Sequence, residues 1–200
     1  MAIFEYGEKE INYLKSKDKR LAAVIERIGH LDRETDPDLF YALSSSIAAQ
    51  QVSGKAAETV WRRVTEKTAI TPESIAALDA VELQSCGLSM RKVQYIKEAA
   101  EKILAGELDL DATAKMSDEE VITELVKLHG IGRWTAEMLL IFSLGRPDVL
   151  SFGDFAIKKG LKLLYGHKEI TKELFEKYRR RYSPYCSVAS FYLWAMAGGE

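Results

Sequence analysis

The segment LHGIGR at residues 128–133 is the most informative stretch of this chain. Gly130 and Gly132 flank a single apolar residue, Ile131, and we expect the two glycines to allow a tight reversal where a Cβ atom would clash. A turn of this kind between two helices leaves backbone amides available to bind an anion, and Arg133 would strengthen such a site. By itself the segment is weak evidence for an anion site, and it favours an ordinary corner between two helices.

Helix-start and helix-stop signals punctuate the chain on both sides of this turn. Apolar residues recur at helical spacing, and no segment alternates with the period of two that strands need. Asp36-Pro37 predicts a helix that runs to about Gln50, and Ser117 with Glu120 predicts a capping box for a helix that ends at Gly130. The sequence therefore predicts an all-α protein. Further helices are expected at 53–68, from 71, between 87 and 106, at 133–144, 155–165, 171–182 and 184–197, and twice before 36.

The composition is that of an ordinary globular protein, with 47% hydrophobic and 29% charged residues. No apolar run has the length of a signal peptide or a membrane span, so we expect an intracellular protein without a membrane partner. Cys86 and Cys186 are the only cysteines, and no side-chain metal site is expected. The net charge is −2, but residues 146–181 hold ten Lys and Arg against five Asp and Glu. This basic segment is compatible with a phosphate-facing surface or with solvated helix faces.

Three further blocks accompany the turn segment in a fixed order along the chain. A single block is weak evidence, whereas four in one order are specific. The blocks read IAAQQVSGKAA at 47–57, GLS with RK and YI at 87–96, LHGIGRWTA at 128–136, and VLSFGD at 149–154. Over residues 36–197 they resemble the helix-hairpin-helix superfamily of DNA glycosylases.

This resemblance implies a two-lobed, all-α helix-hairpin-helix glycosylase fold with a DNA-binding cleft between the lobes. Residues 1–200 would form a single catalytic unit. We expect a central helical lobe at about 36–115, and a second lobe made of residues 1–35 plus 116–200. The second lobe would carry both the hairpin at 128–133 and Asp154.

The residue at position 134 separates the branches of this superfamily. Members that also cut the DNA strand carry a lysine there, whose amine forms a Schiff base with the sugar, whereas Trp134 has no nucleophile. Iron–sulfur members carry four clustered cysteines, which this chain lacks. The chain therefore resembles the 3-methyladenine DNA glycosylase II, or alkylbase, branch, in a compact form without the extra N-terminal domain of larger members. The resemblance implies an N-glycosylase without lyase activity that initiates base excision repair.

The resemblance also assigns roles to particular residues. Asp154 falls on the catalytic position, where a carboxylate can stabilise a cationic sugar and orient water, although a helix N-cap is its local alternative and both roles can coexist. Trp134, Tyr185 and, more loosely, Tyr41 are expected to bind the damaged base, and a core position is the alternative for Trp134. Gln51 falls where the family inserts a side chain into the gap left by the flipped nucleotide; otherwise it is an exposed residue at a helix end. The expected DNA contacts of the hairpin are Gly130, Ile131, Gly132, Arg133 and Thr135.

The expected partner is double-stranded DNA that contains damaged bases. A monomer is the default, in the cytoplasm or associated with the nucleoid. No organic cofactor is expected. Backbone carbonyls of Leu128 and Ile131 can hold a sodium or potassium ion in hairpins of this kind, an expectation that rests on the resemblance alone.

The function that follows is hydrolysis of the N-glycosidic bond of alkylated purines, of the 3-methyladenine and 7-methylguanine type, after base flipping. These bases are cationic, so the bond is already weakened and aromatic faces attract the ring. One alternative is a non-catalytic helix-hairpin-helix DNA-binding protein, which would need neither Asp154 nor Trp134. The other is a glycosylase of the same fold for deaminated or mismatched bases, whose neutral substrates require leaving-group activation.

Overall fold

Our computed structural model of the chain describes residues 2–198. Within them lie thirteen helices and one antiparallel pair of two-residue strands, so the predicted all-α fold is confirmed. The elements are β1 (Ala2–Ile3), α1 (Glu8–Lys17), α2 (Lys19–Ile28), β2 (Glu34–Thr35), α3 (Leu39–Ala49), α4 (Gly54–Lys67), α5 (Pro72–Ala77), α6 (Ala80–Ser85), α7 (Met90–Leu104), α8 (Leu110–Thr113), α9 (Asp118–Leu125), α10 (Arg133–Phe142), α11 (Phe155–Tyr165), α12 (Lys172–Tyr182) and α13 (Cys186–Gly198). No helix of this described part is both long and apolar enough to cross a bilayer.

Polar side chains at helix starts account for most of the boundaries. Ser53, Thr71, Ser89 and Thr171 each accept a hydrogen bond from the backbone amide three residues further on. These bonds satisfy amides that a helix leaves unpaired in its first turn. The predicted capping box at Ser117 is also present.

Two predicted helix ends are wrong. Helix α3 is capped by Asp38, which accepts from the amide of Tyr41, while Asp36 instead accepts from the amide of Asp38. Helix α9 ends at Leu125, and the residues up to Gly130 form turns. Helices α6 and α8 and the pair β1–β2 were not predicted, because elements of two to six residues are too short to show a periodic pattern.

The chain divides into two compact units. One, here called the hairpin unit, is Asp36–Leu139; the other, the terminal unit, comprises the described residues up to Thr35 and from Leu140 onward. The division falls within α10. It differs from the division expected near residue 115, because the turn at 128–133 is bonded to α3 and α7 and so belongs with them.

Helix α7 occupies the centre of the hairpin unit and packs against α3, α5 and α6. Its apolar face buries Val93 and Ile96, and the facing helix α3 buries Leu43 and Ile47. The Lys97 ammonium donates to three carbonyls around the end of α5, at 2.6, 2.8 and 3.2 Å, and so satisfies acceptors that a helix end exposes.

Helix α13 is the core of the terminal unit. It is apolar around its whole circumference, which is typical of a helix with neighbours on every side, and Phe191 and Tyr192 are fully buried. Its main partner is α11. The two helices approach closely at Gly160, where any side chain would collide with the backbone of Leu193. This packing fixes the start of α11, at which Asp154 lies.

Candidate functional site

The turn at residues 128–133 joins the end of α9 to the start of α10, as predicted. Gly130 has a φ of +86°, a left-handed conformation that side chains disfavour, and a Cβ atom there would lie 2.6 Å from Cδ2 of Tyr95. Ile131 is buried, so its side chain is not available for the DNA contact expected there, and its amide donates to the carbonyl of Leu128 at 3.1 Å. Gly130 is therefore required by both its backbone angle and its neighbour.

Gly132 is exposed, and the prediction that a Cβ atom would clash at this position is wrong. Its φ lies outside the left-handed region, and a Cβ atom there would meet nothing within 4 Å. The turn does not require a glycine at this position. Its carbonyl accepts from the amide of Ala136, which makes Gly132 the residue that precedes α10. Among residues 2–198 no acceptor pairs with the amides of Gly130 or Gly132; Gly130 lies against the ring of Tyr95, whereas Gly132 is exposed.

The hairpin is anchored to α3 and α7 by contacts that the sequence did not reveal. The side-chain amide of Gln50, at the end of α3, donates to the carbonyl of Gly130 at 2.6 Å. The ring of His129 stacks on Tyr95 of α7, with centroids 5.9 Å apart, and its Nδ1 lies 2.6 Å from Oε2 of Glu98. Gln50 was not predicted as a positioning residue, because no local pattern distinguishes it from any other glutamine at a helix end.

Gln51 immediately follows this anchor and is exposed. Its φ is +57°, and it is the one non-glycine residue among those described with a positive φ. An L-residue in this conformation costs about 1–2 kcal/mol. Because Gln50 is bonded to Gly130, the strained Gln51 lies beside the hairpin in the same unit.

Arg133, expected to attract an anion, is engaged by two carboxylates. Its Nη1 and Nη2 contact the two oxygens of Glu119 at 3.0 and 2.5 Å, and its Nε donates to Oε1 of Glu137 at 3.0 Å. The hydrogen bonds and charge of Glu119 raise the pKa of Arg133, with a smaller contribution from Glu137. The side chain of Thr135 is buried, which restricts the DNA contact expected there to its backbone.

The two aromatic residues predicted for the hairpin unit differ in exposure. Trp134, in the first turn of α10, is 48% exposed, so the alternative of a fully buried core residue is wrong. Tyr41 is half-buried on α3, with its ring edge-on to Trp61 at 5.2 Å between centroids. Its neighbour Phe40 is buried, because adjacent residues of a helix point in different directions.

Asp154 is the N-cap of α11 in the terminal unit. Its Oδ1 accepts from the amide of Ile157 at 2.8 Å, and the residue is only 6% exposed. The capping role is therefore confirmed. It holds the carboxylate in one orientation at the positive end of a helix dipole, which is compatible with a second role. Exposed aromatic residues lie on either side of it in the chain, Phe152 and Phe155.

Tyr185 lies in the same unit as Asp154 and is half-buried. Its ring packs edge-on against Tyr13 at 5.1 Å, and the hydroxyl of Tyr13 donates to the carbonyl of Ser183 at 2.6 Å. This contact holds the segment before α13 against α1. Across residues 2–198 there is no group of three or more His, Cys, Asp or Glu side chains that could hold a metal.

A family model for HhH-GPD superfamily base excision DNA repair proteins matches residues 44–184, which include the hairpin and Asp154. The chain belongs to this superfamily. Among similar HhH-GPD proteins, DNA-3-methyladenine glycosylase 1 of Schizosaccharomyces pombe is 37% identical over 158 residues, covering 76% of this chain and 69% of that protein. The DNA-3-methyladenine glycosylase of Saccharomyces cerevisiae is 34% identical over 198 residues, covering 80% and 67%.

Solved structures of HhH-GPD relatives have the same fold along nearly the whole chain. The crystal structure of a DNA-3-methyladenine glycosidase from Bacillus halodurans has a TM-score of 0.87 at 37% identity, covering 99% of this chain and 93% of that one. The 3-methyladenine DNA glycosylase of S. pombe in complex with abasic DNA has a TM-score of 0.82 at 31% identity, covering 95% and 97%.

Proposed function

We propose that this protein is a monofunctional DNA glycosylase that hydrolyses the N-glycosidic bond of alkylated purines, of the 3-methyladenine and 7-methylguanine type, in duplex DNA. The observation that carries the proposal is the buried carboxylate of Asp154, held by its own helix in a chain whose hairpin has two glycine amides without an acceptor among the described residues. The names of the relatives support the same reaction class.

The hairpin would bind one phosphate of the DNA backbone. Amide N–H groups at a helix start attract anions, and they contact phosphate without reading the base sequence. Gly132 supports this role because it is exposed and its amide has no acceptor among the described residues. A sequence-independent contact suits an enzyme that must search any duplex for damage.

Gln51 would fill the space that the target nucleotide leaves when it rotates out of the helix. Extrusion costs a few kcal/mol, and less for a damaged base that stacks or pairs poorly. The left-handed backbone of Gln51 supports this role, since strained residues cluster at functional sites. The bond from Gln50 to Gly130 would keep the inserted side chain in register with the hairpin.

Asp154 would act on the sugar. When the bond to a cationic purine breaks, positive charge moves to the sugar, and a fixed carboxylate stabilises that charge and orients the attacking water. Water adds to C1′, the bond electrons leave with the base, and the proton of the water passes to Asp154. Trp134, Tyr185 and Tyr41 would supply aromatic faces for the cationic base, each worth roughly 0.5–2 kcal/mol.

Trp134 also argues against strand cleavage. A lyase needs an amine nucleophile, and the chain carries Trp134 at the position where lyase members of the superfamily carry lysine. A monovalent cation at the hairpin carbonyls stays a proposal. The Leu128 oxygen already accepts one amide, which leaves its second lone pair for an ion. We also propose that the protein acts as a monomer on damaged duplex DNA.

The test is incubation with methylated duplex DNA and measurement of released 3-methyladenine and 7-methylguanine. Asp154→Asn should lower the release rate by about 10²-fold or more, because the charge that stabilises the sugar is lost. Asparagine caps helices about as well as aspartate, so the fold should persist. Asp109→Asn is the matched control, since Asp109 also caps a helix by accepting from the amide three residues on, at 2.9 Å.

Three outcomes would count against the proposal. Absence of base release by the wild type, with DNA binding intact, would favour a non-catalytic DNA-binding protein. Strand cleavage without added base or heat would refute monofunctional action. Release from duplexes with deaminated or mismatched bases but not from methylated DNA would favour the other glycosylase class.

A further inference from the structure

Arg133 of the hairpin and Lys127, which immediately precedes it, are both engaged by carboxylates of the same unit. Arg133 is held by Glu119 and Glu137, as described above. The Lys127 ammonium lies 2.6 Å from an oxygen of Glu124. A hairpin that is to bind a polyanion therefore presents side chains whose positive charge is already compensated.

The two carboxylates around Arg133 have different surroundings. The side chain of Glu137 is 9% exposed and lies one helical turn from Arg133 on α10, so it fixes the direction of the guanidinium through Nε. The side chain of Glu119 is 73% exposed and comes from the first turn of α9. It occupies both terminal nitrogens with the same fork geometry that arginine uses for phosphate.

We propose that Glu119 is a competitor for phosphate that keeps Arg133 out of contact with the DNA backbone and so limits affinity for undamaged duplex. This inference rests on the proposed DNA binding at the hairpin. The phosphate is then held by neutral amides, with Arg133 and its two carboxylates carrying a local charge of −1. An enzyme that must leave undamaged sites quickly gains from weak phosphate contacts, because non-specific affinity grows with each phosphate neutralised.

The geometry predicts what removal of Glu119 would do. In Glu119→Gln, Glu137 still orients the guanidinium, while the terminal nitrogens lose their charged partner and become available to a phosphate. The Kd for undamaged duplex should fall by up to about fivefold near 0.1 M salt, which corresponds to the free energy of one exposed ion pair. The slope of log K against log salt should become more negative by about 0.9, the signature of one additional phosphate contact.

The experiment is an anisotropy titration of a labelled, undamaged duplex at several salt concentrations. The variants are wild type, Glu119→Gln, Arg133→Gln and the double substitution. Arg133→Gln should leave the salt slope of the wild type unchanged, but should abolish the extra slope of Glu119→Gln. Glu101→Gln is the charge-matched control on α7 of the same unit and should leave the slope unchanged.

If Arg133→Gln alone made the slope of log K against log salt less negative by about 0.9, the proposal would be overturned, because Arg133 would then already contact phosphate in the wild type. Equal gains in affinity for Glu119→Gln and Glu101→Gln would also overturn it, since the effect would be one of net charge. Base release from methylated DNA is measured in parallel. If the wild type releases bases but Glu119→Gln has the same salt slope as the wild type, only this inference is refuted. If the wild type releases no bases, the proposed function is refuted.

Discussion

Replacing Gly130 with alanine should lower the free energy of unfolding by about 2–5 kcal/mol. The left-handed φ of +86° costs an alanine about 1–2 kcal/mol. The new Cβ atom would lie 2.6 Å from Cδ2 of Tyr95, so the ring has to move, and overpacking of this kind costs about 1–3 kcal/mol. For a chain of this length the loss corresponds to a fall in Tm of about 5–15 °C.

Urea unfolding followed by circular dichroism measures the change, and Gly132→Ala is the matched control two residues away. A Cβ atom at Gly132 meets nothing within 4 Å, so that variant should lose less than about 1 kcal/mol, through the poorer cap that alanine provides. Stabilities of the two variants within about 1 kcal/mol of each other would refute the reasoning. Gly130→Ala should cost less when it is measured against Tyr95→Ala alone than when it is measured against the wild type, by the part of the loss due to the ring.

Two further predictions concern a strained residue and a buried carboxylate. Gln51→Gly removes the left-handed strain and should leave the free energy of unfolding unchanged or raise it by up to about 1 kcal/mol. Base release should nevertheless fall, as it should in the comparison variant Gln51→Ala, because both variants lack the inserted side chain. A loss of stability in urea, or release at the wild-type rate, would contradict this. Burial raises the pKa of Asp18, but hydrogen bonds from Tyr165, the amide of Leu21 and Arg181 outweigh it, so the pKa lies below its usual value of 3.8. The stabilisation is therefore fully present above about pH 4 and lost as the pH falls through the folded pKa. Thermal unfolding from pH 7 to pH 2 should show a steeper acid limb for the wild type than for Asp18→Asn; parallel curves would exclude this role.

Local features of the fold were predictable because their causes lie within a few residues. The caps at Ser53 and Ser117 act over three residues, so the capping side chain and the helix start that it stabilises lie in the same short stretch of sequence. Asp154 was predicted to cap a helix for the same reason. The prediction failed where two capping residues compete, as at Asp36 and Asp38, since either can start a helix.

Contacts between distant parts of the chain were not predictable in this way. Gln50 reaches Gly130 across 80 residues, and no local pattern shows that a glutamine at a helix end will anchor a turn. The requirement for glycine at 130, but not at 132, depends on the ring of Tyr95 in another helix. The division of the chain into units also depends on such contacts, which place the hairpin with α3 and α7.

By itself the sequence determined the helical class, the place of the hairpin and the residue types available for chemistry, namely amides, a carboxylate and aromatic rings. Only the tertiary structure decided how these groups are presented. It pairs Arg133 with Glu119 and Glu137, leaves the amide of Gly132 without an acceptor among the described residues, and holds Gln51 in a strained conformation. The physical reason is range: a cap forms between neighbours in the chain, whereas charge compensation and steric fit depend on which side chains packing brings together.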